Sequence, residues 1–254
     1  MSGGLSSIIT GVRQDPPRII VYGLRGVGKS SFCAKATAPI FVPTEDGIGV
    51  IDVPRFPVAT SFEDLMKNLA VLYKEDHEYR TVVIDSLDWA EKLVHQDIKK
   101  EHGERIFIEY GRGYTLSISY IERLLSALDA LRTKKGMAVL ITAHTIVKRF
   151  QSPDCEPYDR WELDLHQKAA SISEEWADAV LFATQKVFTT ASDLGFGQKQ
   201  VRGVGTGERI LLTEERPSHV GKNRYRLPYE LPLDFKALAR EIGKAWGTGL
   251  EQKQ

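Results

Sequence analysis

The eight residues Gly23-Leu24-Arg25-Gly26-Val27-Gly28-Lys29-Ser30 satisfy every fixed position of the pattern G-x-x-x-x-G-K-[ST]. Glycines at these spacings let backbone N–H groups turn inward around a phosphate where a side chain would collide. In that geometry Lys29 reaches the outer phosphates, the Ser30 hydroxyl ligates Mg²⁺, and Ser31 continues the cradle. The start of the following helix adds partial positive charge. The chemistry implied is capture of a nucleoside triphosphate with its magnesium ion.

A second group supplies carboxylates. Thr81-Val82-Val83-Ile84-Asp85-Ser86 reads as a buried parallel strand ending in an acid, which is where a metal opposite a phosphate loop needs a ligand. Asp85 is expected to hold Mg²⁺ directly or through water, the alternative being a cap for the next helix. Glu45 and Asp46, just past the apolar run Pro39-Ile40-Phe41-Val42, stand where open α/β sheets bind ligands. They are candidates to orient or deprotonate an attacking water, although turn chemistry accounts for Asp46. His144, ending the run from Met137, would lie beside the γ-phosphate or serve as a structural histidine. Lys222 and Arg224, one residue apart on an extended segment, point to one face and can reach a γ-phosphate held by a neighbouring subunit.

These groups need a scaffold of alternating strands and helices. Ile19-Ile20-Val21-Tyr22 leads into the glycine loop, and residues 29–38 read as a helix leading out. Residues 50–60 are extended, broken by Pro54 and Pro57. Ser61 caps a helix that carries Leu65, Leu69 and Leu72 on one face. A helix over 87–102 ends at Gly103, Gly111-Arg112-Gly113-Tyr114 reads as a loop, and an apolar stripe from Ile118 to Leu131 marks a long core helix. Residues 145–166 show little periodicity. A helix over 167–176, a strand over 178–184, a hairpin and a closing amphipathic helix over 233–246 complete the pattern.

A chain of 254 residues with 42% hydrophobic and 27% charged residues suits one α/β domain. It is assigned to 18–247, between a flexible lead-in over 1–17 and a polar tail over 248–254; the lead-in could instead dock on a neighbouring subunit. Net charge is zero, so any nucleic-acid surface must be a local patch. Two cysteines are too few for a disulfide framework, no run of about 18 apolar residues exists for a membrane span, and the N-terminus lacks the basic-then-apolar layout of a signal peptide, so the protein is expected in the cytoplasm. Two regions suit single-stranded nucleic acid. Residues 145–166 interleave Lys148, Arg149 and Arg160 with Phe150, Tyr158 and Trp161, yet their acids outnumber their bases, so a subunit-interface loop is the competing reading. Between Gln198 and Arg226, where Lys199 and Arg202 lie, bases outnumber acids, as on a phosphate-binding face or a solvated hairpin.

The ordered set formed by the phosphate loop, Glu45, the strand ending Asp85-Ser86, the strand ending at His144 and Lys222-x-Arg224 resembles the RecA-type core ATPases. Thr44-Glu45-Asp46-Gly47, Thr142-Ala143-His144 and Lys222-Asn223-Arg224 bring it nearest to the small phage single-strand annealing proteins of the Sak-four type. The resemblance spans roughly residues 18–235. It implies a P-loop NTPase core of the RecA-like kind: a mostly parallel central sheet flanked by helices, with a C-terminal β-hairpin extension. It further implies a Mg²⁺-dependent ATPase forming a homo-oligomeric ring or filament, with ATP at subunit interfaces, and acting on single-stranded DNA in recombination. A single-strand-binding protein is a natural partner. By the same resemblance Glu45 activates water, His144 is the switch residue, and Lys222 and Arg224 are fingers acting in trans. A hexameric helicase or translocase core and a nucleotide-switched regulatory ATPase without DNA are the competing functions.

Overall fold

Runs of β-branched and apolar residues, buried on both faces over their central parts at 19–23, 40–43, 81–85, 139–143 and 179–183, build the centre of the molecule. They are β1 (Arg18–Gly23), β2 (Pro39–Pro43), β3 (Thr81–Asp85), β4 (Ala138–Phe150) and β6 (Ala179–Asp193). The computed structural model describes residues 8, 10, 11, 14–108, 111–193 and 199–245; the side chains of 188–193, 199–204 and 206 lie outside that description. The sheet order is β2-β3-β4-β1-β6-β7-β9, with β7 at Lys199–Leu212 and β9 at Glu230–Pro232. Neighbours from β2 through β6 pair in parallel, and β6, β7 and β9 pair antiparallel. The expected architecture, a mostly parallel sheet with a late hairpin, is what forms.

Helices cover both faces because successive strand residues point to opposite sides. Ile20 and Tyr22 join a cluster with α2 (Phe62–Lys74), α3 (Leu87–His102), α4 (Arg112–Lys135) and α5 (Gln167–Trp176), whereas Ile19 and Val21 pack with α1 (Lys29–Cys33) and α6 (Phe235–Ala245). Ser61 caps α2 through its hydroxyl, which accepts from the Asp64 N–H at 3.1 Å. Gly103 follows α3 at φ 80°, as a helix stop should.

Four local expectations are corrected. Helix α1 spans five residues rather than ten, so its macrodipole is small and the loop itself must supply the anion-binding groups. Residues 111–114 open a helix: Gly111, at φ 63°, precedes the first turn of α4, and a Cβ on Gly113 would meet the Phe107 ring at 2.7 Å. Residues 145–166 are largely regular. β4 runs on past His144 and pairs antiparallel with β5 (Tyr158–Leu163), from Thr145 opposite Leu163 to Phe150 opposite Tyr158. Last, the extended segment carrying the late cation pair is only β8 (Lys222–Asn223), with Arg224 beyond its end. Of the lead-in, residues 1–7, 9, 12 and 13 fall outside the described residues, as does the tail over 248–254. No described helix is long and apolar enough to cross a membrane.

At the amino-terminal end of β1 and β6, Asp178 joins three segments. Its carboxylate accepts from the Arg18 backbone N–H at 3.1 Å, Arg18 Nη2 at 2.9 Å, Arg224 Nη1 at 3.1 Å and the Tyr225 hydroxyl at 3.3 Å. Burial pushes this carboxyl up, but the Arg18 hydrogen bonds and charge together outweigh it and hold the group below its ordinary range. Removing Asp178 takes charged hydrogen bonds from Arg18 and Arg224 and leaves the largely buried Arg18 guanidinium with Asp129 as its remaining acid, so Asp178→Ala should cost about 2 kcal/mol in urea unfolding. Because the folded carboxyl is depressed, its contribution is present above the unfolded value and disappears as pH falls through the folded one. Acid unfolding of Asp178→Ala should therefore have a shallower pH dependence than the parent.

Candidate nucleotide-binding site

Register brings the candidate residues to one edge. Gly23, last in β1, lies opposite His144 of β4, and Asp85, last in β3, lies opposite Pro43 of β2, one residue before Thr44-Glu45. The carboxyl ends of four parallel strands thus open on a cavity of about 440 Å³, bounded by the glycine loop and by Glu45, Asp85, Trp89, His144 and Arg209.

The loop has the backbone that a phosphate cradle needs. A Cβ on Gly23 would lie 2.1 Å from the Ala183 carbonyl oxygen, so no other residue fits there. Gly26 and Gly28 have φ of 74° and 107°. Val27 turns into the core, Leu24 is exposed, and Arg25, Ser30 and Ser31 line the cavity. Lys29 is only 7% exposed, and its ammonium donates to the carbonyls of Gly23 at 2.8 Å and Leu24 at 3.0 Å. Burial lowers its pKa, opposed by the charges of Asp85, Asp88 and Glu45. A buried ammonium satisfied by loop carbonyls, beside a glycine cradle and a carboxylate, is a donor set that fits a triphosphate and Mg²⁺.

The opposite wall is a hydrogen-bonded network. Asp85 accepts from the Thr142 hydroxyl, and the Asp85–Ser86 peptide is cis. The Ser86 hydroxyl donates to Glu45 at 2.8 Å, while Thr44 bonds both the N–H and the carbonyl of Ser86. Burial pushes the Glu45 carboxyl up, opposed by the Ser86 hydrogen bond and by His144. Asp46 is exposed, as turn chemistry requires. His144 is gripped by Asp88, whose two oxygens accept from the ring Nδ1 at 2.9 Å and the backbone N–H at 3.0 Å; Glu45 is 3.9 Å from the same ring nitrogen. Burial pushes Asp88 up, yet the bonds from His144 outweigh it and hold this fully buried acid below its ordinary range. One turn along α3, Glu91 accepts from the His166 N–H at 3.1 Å, and burial raises its pKa to about 7. The His166 ring stacks on Tyr114, 4.2 Å between centroids.

Sequence reasoning missed Asp88, Trp89 and Arg209. Asp88 could have been found, since it follows Asp85 by three residues at the start of a helix; Arg209 carries no such signal, because only the fold brings β7 to the loop.

The remaining candidates lie elsewhere. Lys222 and Arg224 sit at the opposite end of the sheet from their own phosphate loop, since β8 pairs with Ala179 and Val180 at the start of β6. The Lys222 ammonium donates to the carbonyls of Glu174 and Glu175, ending α5, at 2.8 and 2.6 Å. Lys148, Arg149 and Phe150 fall on the β4–β5 hairpin, where Lys148 faces Glu162 and donates to the Leu165 carbonyl, Arg149 pairs with Asp159, and the Arg160 guanidinium lies 3.8 Å over the Phe150 ring. Lys199 and Arg202 lie on β7, at a part whose side chains are outside the described residues.

A solved structure titled "Crystal structure of the RadB recombinase" is similar with a TM-score of 0.47 and 13% identity, covering 88% of this chain and 90% of that one. No curated protein matches the chain. The model of a family described as AAA domain (AAA_24) matches residues 15–225. That span holds the phosphate loop, the four strand ends, the acidic flank of the cavity and Arg209, and the chain belongs to the AAA domain family as an ATPase.

Proposed function

We propose that this ATPase hydrolyses ATP with Mg²⁺ at the Gly23–Ser30 loop, within an oligomer that acts on single-stranded DNA in recombination. The observation that carries the catalytic part is the convergence of Lys29, Asp85, Glu45 and His144 on one cavity. Bound Mg²⁺ would be held by Ser30 and Asp85 and would supply neutralisation of phosphate charge. Glu45 orients and deprotonates water; its raised affinity for a proton suits a base, and Ser86 fixes its carboxylate. Asp88 keeps the proton of His144 on Nδ1 and leaves Nε2 for the cavity. Because β4 continues from His144 into the β4–β5 hairpin, a change at the ring is passed to that hairpin through one strand.

The oligomer places Arg224 and Lys222 of one copy against the nucleotide of the next. Arg224, with a half-exposed side chain, is the freer of the two, while Lys222 must first leave the end of α5. Annealing or strand exchange of phage type, with a single-strand-binding protein as partner, rests on the resemblance of the motifs. One observation favours a second reading, a nucleotide-switched ATPase without DNA: Lys148, Arg149 and Arg160 are each neutralised by an acid of their own chain.

Glu45→Gln should retain ATP binding and lose turnover by roughly 10²-fold or more; ordinary turnover removes Glu45 as the base. Asp88→Asn and His144→Ala should each slow turnover, and the double variant should be little slower than either alone, since one acts through the other. Titration of a labelled single-stranded oligonucleotide at rising salt separates the readings. Binding that weakens steeply with salt supports the DNA function, and no binding at low salt with ATP present leaves the switch.

A further inference from the structure

The charged groups around the cavity divide by flank. Glu45, Asp85, Asp88 and His144 arrive from β2, β3, α3 and β4, all on one side of β1 in the sheet order. Arg209 arrives from β7, two strands away on the other side, where it lies opposite Gln185 of β6. Its backbone is fixed there, because its carbonyl accepts from the Leu233 N–H at 3.0 Å and the next residue pairs with β9. Its guanidinium Nη1 lies 3.0 Å from where a Cβ on Gly28 would stand, directly over the loop.

Among the described residues the Arg209 side chain has no hydrogen-bond or ion-pair partner. This contrasts with Arg18, Lys148, Arg149, Arg160, Lys222 and Arg224, each of which is engaged within the chain. An exposed guanidinium brought against a glycine that has no side chain to meet it is positioned to receive an anion. If magnesium and the terminal phosphate occupy the carboxylate flank, the opposite flank faces the inner phosphates. The planar fork of arginine matches oxygens on two adjacent phosphates better than a point charge does.

We propose that Arg209 is a cis ligand of the α- and β-phosphates of bound nucleotide, gripping ADP as firmly as ATP. This rests on the nucleotide reading above and adds a contact on the far side of the loop from the acids. It assigns Gly28 a second role, since a Cβ there would crowd the guanidinium at 3.0 Å and shift it over the loop. It also makes product release a step that Arg209 slows.

The test is a binding titration of full-length protein with Mg-ADP and, separately, Mg-ATP, paired with melting curves. Arg209→Ala should weaken both nucleotides by the same factor, roughly 10- to 100-fold as for loss of a charged hydrogen bond. It should leave the unliganded melting temperature unchanged and abolish most of the ADP-induced rise. Arg209→Lys should recover only part of the loss. ADP affinity unchanged in Arg209→Ala, with or without a loss for ATP, overturns the proposal and leaves the nucleotide site standing. Failure of the parent protein to bind either nucleotide removes the site itself.

Discussion

Parallel register is the constraint on which the site depends. Gly23 must end β1 where His144 ends the core part of β4, and Asp85 must end β3 beside Pro43, for loop, candidate metal ligand and candidate base to share one cavity. Side chains alternate with period two, so a slip of one residue in β3 would turn Asp85 into an apolar face and bring Ile84 to the rim. The core resists such a slip because both faces are full. Val82 and Ile84 pack under α3 and α4, and Val83 packs under the layer containing α1 and α6. The hydrophobic pattern that folds the chain is thus the same pattern that aims its carboxylates.

Those carboxylates are costly to bury, and the structure offsets the cost pairwise. Asp88 is stabilised by the ring and N–H of His144, Asp85 by the Thr142 hydroxyl, Glu45 by Ser86. Lys29 has no acid in hydrogen-bonding contact; its charge is met by two carbonyls and by the more distant field of the acids. Across the loop, Arg209 has no partner at all among the described residues. Each of these acids has a hydrogen-bond donor of its own, whereas Lys29 is met by neutral carbonyls and Arg209 by none of the described acids, an imbalance of charge that an anion would correct.

How much of this could be read from the letters depends on range. The glycine turn after β1, the strand that ends at Asp85, the capping Ser61 and the apolar stripe of α4 are written in spacings of a few residues, and these local structures form as expected. The helix after the loop is shorter than the helical propensity of Ala34, Lys35 and Ala36 suggests, because past Cys33 the backbone bonds tighten, Lys35 N–H donating to the Phe32 carbonyl and Ala36 N–H to the Cys33 carbonyl, each at 3.1 Å. The Gly111–Tyr114 segment misled because Gly111 and Gly113 suggest a turn, whereas Gly113 is small so that Phe107 can lie against the first turn of α4. The β4–β5 hairpin was hidden by charges that alternate with apolar residues only weakly; its order comes from cross-strand pairs such as Arg149 with Asp159. Asp88 and Arg209 illustrate the two limits: the first lay three residues from a recognised acid, and the second is joined to the loop only by sheet order.

Sheet order also explains why one strand links the cavity to the rest of the surface. β4 is central, flanked by β1 and β3, and cannot shift as a body without breaking both registers. Its extension beyond His144 pairs only with β5, and that pair is held down at its base by Lys148 on the Leu165 carbonyl and Glu91 on the His166 N–H. Movement at His144 therefore has one direction in which it is cheap, outward along the hairpin, where fewer packed neighbours resist it. Asp88 and Glu91 are one turn apart on α3, so a single helix restrains both the start of the hairpin and the segment that follows it.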